Sequence, residues 1–170
     1  MKQIVVTLVG TDKPGIVERI SKTIYQHKGN WLASSLSKMA GQFAGIIQVM
    51  LPEEQIESFH AAVNQISDLR CVVHEDINEF QPSETRTATV DIMGNDKPGI
   101  VQEITAALHH AGANVLKMQS HCESAPNWGG ELFKAEILIG VPAELSLDEI
   151  QERLEDIAND LVVELQLKRD

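Results

Sequence analysis

An apolar run, Ile4 to Val9, lies near the start of the chain and reads as a central strand buried in a sheet. Thr87 to Met93 alternates instead, with Ala88, Val90 and Ile92 on one face and Thr87, Thr89 and Asp91 on the other. After each strand the period lengthens to three or four. Ile16, Val17, Ile20 and Ile24 predict one helix; Ile100, Val101, Ile104, Ala107 and Leu108 predict another. Pro14 and Pro98 precede these stripes, where a missing N–H has no intrahelical partner to lose. Gly29 and Gly112 are expected to stop the helices. Two hairpins follow, Trp31–Met39 against Phe43–Leu51 across Ala40-Gly41-Gln42, and Val115–His121 against Leu132–Val141 across a longer loop. Further helices are expected after Pro52, lined by Ile56, Phe59, Val63 and Ile66, and after Pro142, lined by Leu147, Ile150, Leu154, Ile157 and Leu161. Cys71–Ile77 and Val162–Leu167 read as last strands.

The order β-α-β-β-α-β therefore occurs twice, and the sequence repeats with it. Gly10-Thr11-Asp12-Lys13-Pro14-Gly15-Ile16-Val17 returns as Gly94-Asn95-Asp96-Lys97-Pro98-Gly99-Ile100-Val101, 84 positions on, with seven of eight residues identical. Ile20 and Ile104, Asn30 and Asn114, and Leu32 and Leu116 keep that offset; Phe43 and Phe133, and Pro52 and Pro142, are 90 apart. Six residues are thus added in the second copy, within Cys122 to Gly130. Each unit predicts a ferredoxin-like α+β fold, two helices on one face of a four-stranded antiparallel sheet. The domains are expected at 1–80 and 85–170, joined by a polar linker at 79–84 that contains Pro82. The other sheet face and the edges must find a partner or stay wet, so a homodimer is a natural expectation.

Charge narrows the function. Fourteen basic against 25 acidic residues give a net charge of −11, and the longest basic run is Lys168-Arg169. A protein that grips nucleic acid needs Lys and Arg for the phosphates, so no direct nucleic-acid partner is expected. No apolar run approaches the ~20 residues of a membrane span, and the start shows neither a cationic n-region nor a cleavage site. A cytoplasmic location is expected. Cys71 and Cys122 are too far apart for a zinc pair and too few for a disulfide framework, and are read as free thiols. The six histidines show no metal spacing, so no metal, no cofactor and no catalytic residue is expected. His109-His110 reads as a helix end favoured by the dipole, and His121-Cys122 as a strand end. Trp128, in the inserted loop, is a candidate anchor for a partner.

The repeated octet sits where a strand meets a helix. Asp12 and Asp96 are expected to cap the helix amides, and Gly15 and Gly99 leave room for a ligand beside the backbone. Gly10 and Gly94 are read as ending the strands. A helix start offers unpaired N–H groups and partial positive charge to a carboxylate. An aspartate beside it suits an ammonium group, so the pair suits a zwitterionic amino acid. The same residues also make an ordinary strand-to-helix turn.

Gly-x-Asp-Lys-Pro-Gly-Ile-Val at 10–17 and 94–101, with Gly29-Asn30 and Gly112-Ala113-Asn114, resembles the ACT domain family of amino-acid-binding regulatory modules, over nearly the whole chain. The resemblance implies two tandem ferredoxin-like ACT domains. It also implies ligands at the interface of paired modules. The implied contacts are Asp12, Lys13, Pro14, Gly15, Ile16 and Asn30, and Asp96, Lys97, Pro98, Gly99, Ile100 and Asn114. The first hairpin (Ser37-Lys38-Met39-Ala40, Phe43-Ala44-Gly45) and the second (Ser124-Ala125-Pro126, Leu132-Phe133) are similar to those of glycine cleavage system transcriptional repressors. That likeness implies a non-enzymatic regulator that senses glycine and restrains a DNA-binding transcription activator by protein contact. An adaptor with silent sites, and a regulatory subunit of an amino-acid or folate enzyme, are the alternatives. ACT modules also precede catalytic domains in formyltetrahydrofolate deformylases, but with two repeats filling these 170 residues none is expected here.

Overall fold

A computed structural model describes residues 1–75, 85–124, 130–157 and 161–167. The chain divides into two compact units, Met1–Phe80 and Gln81–Asp170. The first contains β1 (Lys2–Thr11), α1 (Ile16–Gln26), β2 (Asn30–Met39), β3 (Gln42–Leu51), α2 (Ile56–Asn64) and β4 (Leu69–His74). The second repeats the order as β5 (Thr85–Asn95), α3 (Ile100–His110), β6 (Asn114–Ser124), β7 (Glu131–Pro142), α4 (Leu147–Ile157) and β8 (Leu161–Leu167). Each forms a four-stranded antiparallel sheet, ordered β2-β3-β1-β4 and β6-β7-β5-β8. This is the ferredoxin-like α+β plan, twice.

In each unit the helices cover one sheet face. Ile4, Val6 and Leu8 of β1 and Ile47, Val49 and Leu51 of β3 are buried against Ile16, Ile20 and Ile24 of α1 and Phe59 and Val63 of α2. Ala88, Val90, Ile92, Ile137, Ile139 and Val141 do the same beneath Ile100, Ile104 and Leu108 of α3 and Ile150 and Leu154 of α4. Arg153 of α4 donates to the His110 carbonyl at 3.1 Å and ties α4 to the end of α3.

Several expectations are corrected. The apolar run of β1 is buried on one side only: its central position comes from pairing with β3 and β4, while Val9 is 47% exposed on the uncovered face. Gly10 and Gly94 do not end their strands, since Thr11 still pairs with Gln42 and Asn95 with Leu132. Of the two glycines expected to stop helices, Gly112 takes a left-handed turn (φ 81°), but in the first unit Lys28 takes it (φ 57°). Gly29 serves close packing instead, a Cβ there falling 2.6 Å from Leu51. Ile66 lies beyond the end of α2, and Leu161 belongs to β8 rather than α4. The linker at 79–84 and Trp128 lie outside the described residues.

The first hairpin is tighter than expected. Met39 pairs with Gln42, and Ala40 and Gly41 form a two-residue turn with φ of 47° and 76°, the left-handed pair that matches strand twist. Both copies carry a bulge at the same place, between Trp31 and Ala33 and between Val115 and Lys117.

Candidate functional site

The strand–helix loops begin where the outermost hairpin pairs end. The Asp12 amide donates to the Gly41 carbonyl at 2.9 Å and the Asp96 amide to that of Glu131 at 2.8 Å, so each ladder gains one more rung. The chain then turns through Lys13-Pro14 or Lys97-Pro98 into a left-handed glycine, Gly15 (φ 84°) or Gly99 (φ 90°). These glycines hold the N-cap position, and their carbonyls accept the Arg19 and Glu103 amides at 3.0 Å. The expectation that Asp12 and Asp96 cap the helices is therefore wrong. Each lies three residues ahead of the cap with its backbone committed to the hairpin, and neither helix start has a side-chain cap.

The two aspartates instead face the hairpins. Asp12 is in an ion pair with Lys38 of β2. Asp96 lies near enough to the Cys122 thiol of β6 to raise its pKa. Lys38 pairs with Phe43 and Cys122 with Phe133, so they occupy the same position in the two copies. Shielding from water, then the charge and hydrogen bond of Asp96 and the charge of Glu131, raises the Cys122 pKa, while burial raises that of Cys71. Both thiols are free, Cys71 buried and Cys122 exposed.

The loop lysines differ as well. Lys97 reaches Glu103 in the first turn of α3 at 2.8 Å, whereas Lys13 reaches Asp68, before β4, at 2.8 Å. The hydrogen bond and charge of Lys13, reinforced by Arg19 and Ser67 against some desolvation, hold the Asp68 carboxyl below its ordinary 3.8. A depressed carboxyl supports the folded state above pH 3.8, and that support is lost as pH falls through the lowered folded value. Lys13→Met will move the Asp68 titration back up toward 3.8, read by NMR of its carboxyl; an unmoved titration would show that the pair is not formed in solution.

The remaining expected residues are not gathered in one place. Pro14 and Pro98 are exposed, but the side chains of Ile16 (3% exposed) and Ile100 (4%) belong to the cores. Only backbone groups of these isoleucines could meet a ligand, and the Ile100 amide already donates to the Lys97 carbonyl at 3.2 Å. The first-turn amides lack intrahelical acceptors, yet Glu18 and Glu103 already put a carboxylate in each first turn. Asn30 and Asn114 begin β2 and β6 and pair with Met50 and Gly140. Met50 pairs in turn with Gln3, and Gly140 with Thr87. Each asparagine is thus about 27 Å along the sheet from the loop of its own unit, at ~3.4 Å per residue. It cannot share a small ligand with that loop from within one unit.

Lys38, Asp68 and the pairing of Cys122 with Asp96 were not singled out from the sequence. The repeat offset does align Lys38 with Cys122, but only hairpin register shows that this position faces the loop aspartate.

Among the hollows elsewhere on the units, two bear on the loops and the sheet face. One of about 470 Å³ lies between the ends of β1 and β4, beside Gly10 and Asp68. Another, of about 460 Å³, lies on the uncovered face of the second sheet. There Glu136, Asp91 and Glu164 stand side by side across three strands; the first copy has Ile46, Thr7 and Val72 in that row. Neither hollow is lined by Asp12, Gly15, Asp96 or Gly99. Among the described residues no group of three or more His, Cys, Asp or Glu is placed to hold a metal ion, and no helix is long and apolar enough to cross a membrane.

Two βαββαβ units, each with a glycine-capped helix start and an adjoining aspartate, define a tandem ferredoxin-like protein with a repeated strand–helix loop. The chain belongs to the ACT-domain family, whose model matches residues 2–71 and 86–122. Its fold is similar to the crystal structure of an unknown protein from Galdieria sulphuraria, with TM-score 0.87 and 24% identity over 99% of both chains. It is also similar to that of a protein proposed to be a glycine cleavage system transcriptional repressor, with TM-score 0.67 and 17% identity over 98% of both chains. At these identities the likeness is one of fold. No curated protein matches the sequence.

Proposed function

We propose that this protein is a non-enzymatic regulator that binds a small amino acid, glycine foremost, at its strand–helix loops and acts by contact on a DNA-binding transcription activator. The observation that carries the reading is the ion pair at Asp12: the loop carboxylate already holds a primary alkylammonium, that of Lys38. A free amino acid offers the same group, and its carboxylate suits the first-turn amides. Family membership and the fold likeness to a proposed repressor support the rest. The net charge of −11 favours a protein partner over nucleic acid. The edge strands β2, β4, β6 and β8 offer a route to a homodimer, and a cytoplasmic location belongs to the same proposal.

The test is a thermal-shift and calorimetric screen of the purified chain against the common amino acids, with Asp12→Ala and Asp96→Ala beside it. A ligand at one hundred times its Kd stabilises the native state by about 2.7 kcal/mol. The expected result is a selective rise in Tm, lost in one or both variants. No response to any amino acid would leave an adaptor without ligand as the better reading, and turnover of an amino acid or folate would overturn the non-enzymatic assignment.

A further inference from the structure

We infer that the two loops are unequal: Lys38 occupies the first loop's carboxylate as a built-in competitor, and Cys122 leaves the second loop's Asp96 open, so ligand recognition falls to residues 96–100. The inference rests on the reading that the loops bind amino acids and adds which one works and why.

The comparison is between equivalent atoms of one chain. In both copies the loop aspartate is held by its amide to the hairpin, and the side chain that meets it comes from the same register position, opposite Phe43 or Phe133. In the first copy that side chain is a lysine, and its ammonium sits on Asp12, whose side chain is 25% exposed. Tethered so close, Lys38 acts as an ammonium at about millimolar or higher effective concentration. A ligand must displace it.

In the second copy, at the register position that Lys38 fills in the first, Cys122 is a thiol whose pKa is raised from 9.0, so it brings no positive charge to Asp96. Among the described residues the lysines nearby are engaged elsewhere: Lys97 with Glu103 at 2.8 Å and Lys134 with Glu123 at 2.6 Å. Asp96 itself is exposed, and Glu131 adds a second negative charge beside the thiol. A compact ammonium group is the species this arrangement lacks. Cys122 also reports on the site, because it is exposed while Cys71 is buried.

The experiment is glycine titration of the full chain by calorimetry, with the rate of thiol modification by Ellman's reagent as a second readout. The variants are Cys122→Lys, Cys122→Ser, Lys38→Cys and Asp96→Asn. Expected for the wild type is one glycine per chain, with slower modification of Cys122 in its presence. Cys122→Lys, which installs the competitor, should weaken binding about tenfold or more. Asp96→Asn should do likewise, and Cys122→Ser should leave binding in place. Lys38→Cys should create a second site. Glycine binding that survives Cys122→Lys or Asp96→Asn would overturn the inference while leaving the amino-acid reading intact. A wild type that binds no glycine, with binding gained in Lys38→Cys, would also overturn it. Absence of glycine binding in every protein, with the wider amino-acid screen also silent, would remove both.

Discussion

Replacing Gly10 with valine will unfold the first unit at temperatures where the wild-type protein is folded. Gly10 pairs with Phe43 on one side and Leu69 on the other, at the crowded end of β1. A Cβ there would lie 1.9 Å from the Asp68 carbonyl oxygen and 2.8 Å from Leu69 Cδ2. The first neighbour is backbone, in a residue already held in a left-handed turn (φ 69°), so it cannot step aside as the Leu69 side chain can. Overpacking normally costs 1–3 kcal/mol; a backbone collision of this depth should cost about 3 kcal/mol or more. For a unit of this size that is a fall in Tm of roughly 12 °C or more. The same change would push Asp68 away from Lys13 and so loosen the loop. Gly41→Ala is the control: nothing lies within 4 Å of a Cβ there, although φ is 76°, and about 1 kcal/mol is expected. Scanning calorimetry decides it, and a Gly10→Val transition within ~1 kcal/mol of wild type would contradict the close approach of β4 to β1.

Phe59→Ala should cost the first unit about 3–5 kcal/mol. Phe59 is 0% exposed in α2, at the centre of the cluster formed by β1, β3 and α1, with the His27 ring edge-on at 5.6 Å. Removing it leaves a cavity lined by branched side chains that cannot collapse into it. The second unit's cluster shares no residue with the first, so its amide signals should persist while those of the first unit broaden or exchange. Tyr25→Ala makes a useful contrast. That ring is 81% exposed on α1, and its loss should stay within about 0.5 kcal/mol. Equal destabilisation by both would mean that Phe59 is not at the core.

Most of the architecture was legible without coordinates, because it rests on local periodicity and duplication. The stripe Ile16, Ile20, Ile24 and the alternation Ala88, Val90, Ile92 specify which face of each element is apolar, and burial follows that face. The octet repeated at 84 positions fixed the unit as β-α-β-β-α-β before any strand was paired. Where local pattern misled, a neighbour decided. The apolar run of β1 could not reveal that the helices of its own unit cover one face only, and Val9 lies exposed on the other. Gly10 reads as a terminator in sequence, but it is there because the Asp68 carbonyl passes over it. The loop residues were found by composition, but their chemistry was not. Asp12 reads as a helix cap until the hairpin takes its amide and Lys38 its carboxylate. The sequence alone thus determined the fold, the duplication and the position of both loops, since these depend on contacts a few residues apart or on repetition of the same text. Only tertiary structure decided that one loop aspartate meets an ammonium and the other a thiol, because that depends on strand register between residues 26 positions apart, from Asp12 to Lys38 and from Asp96 to Cys122.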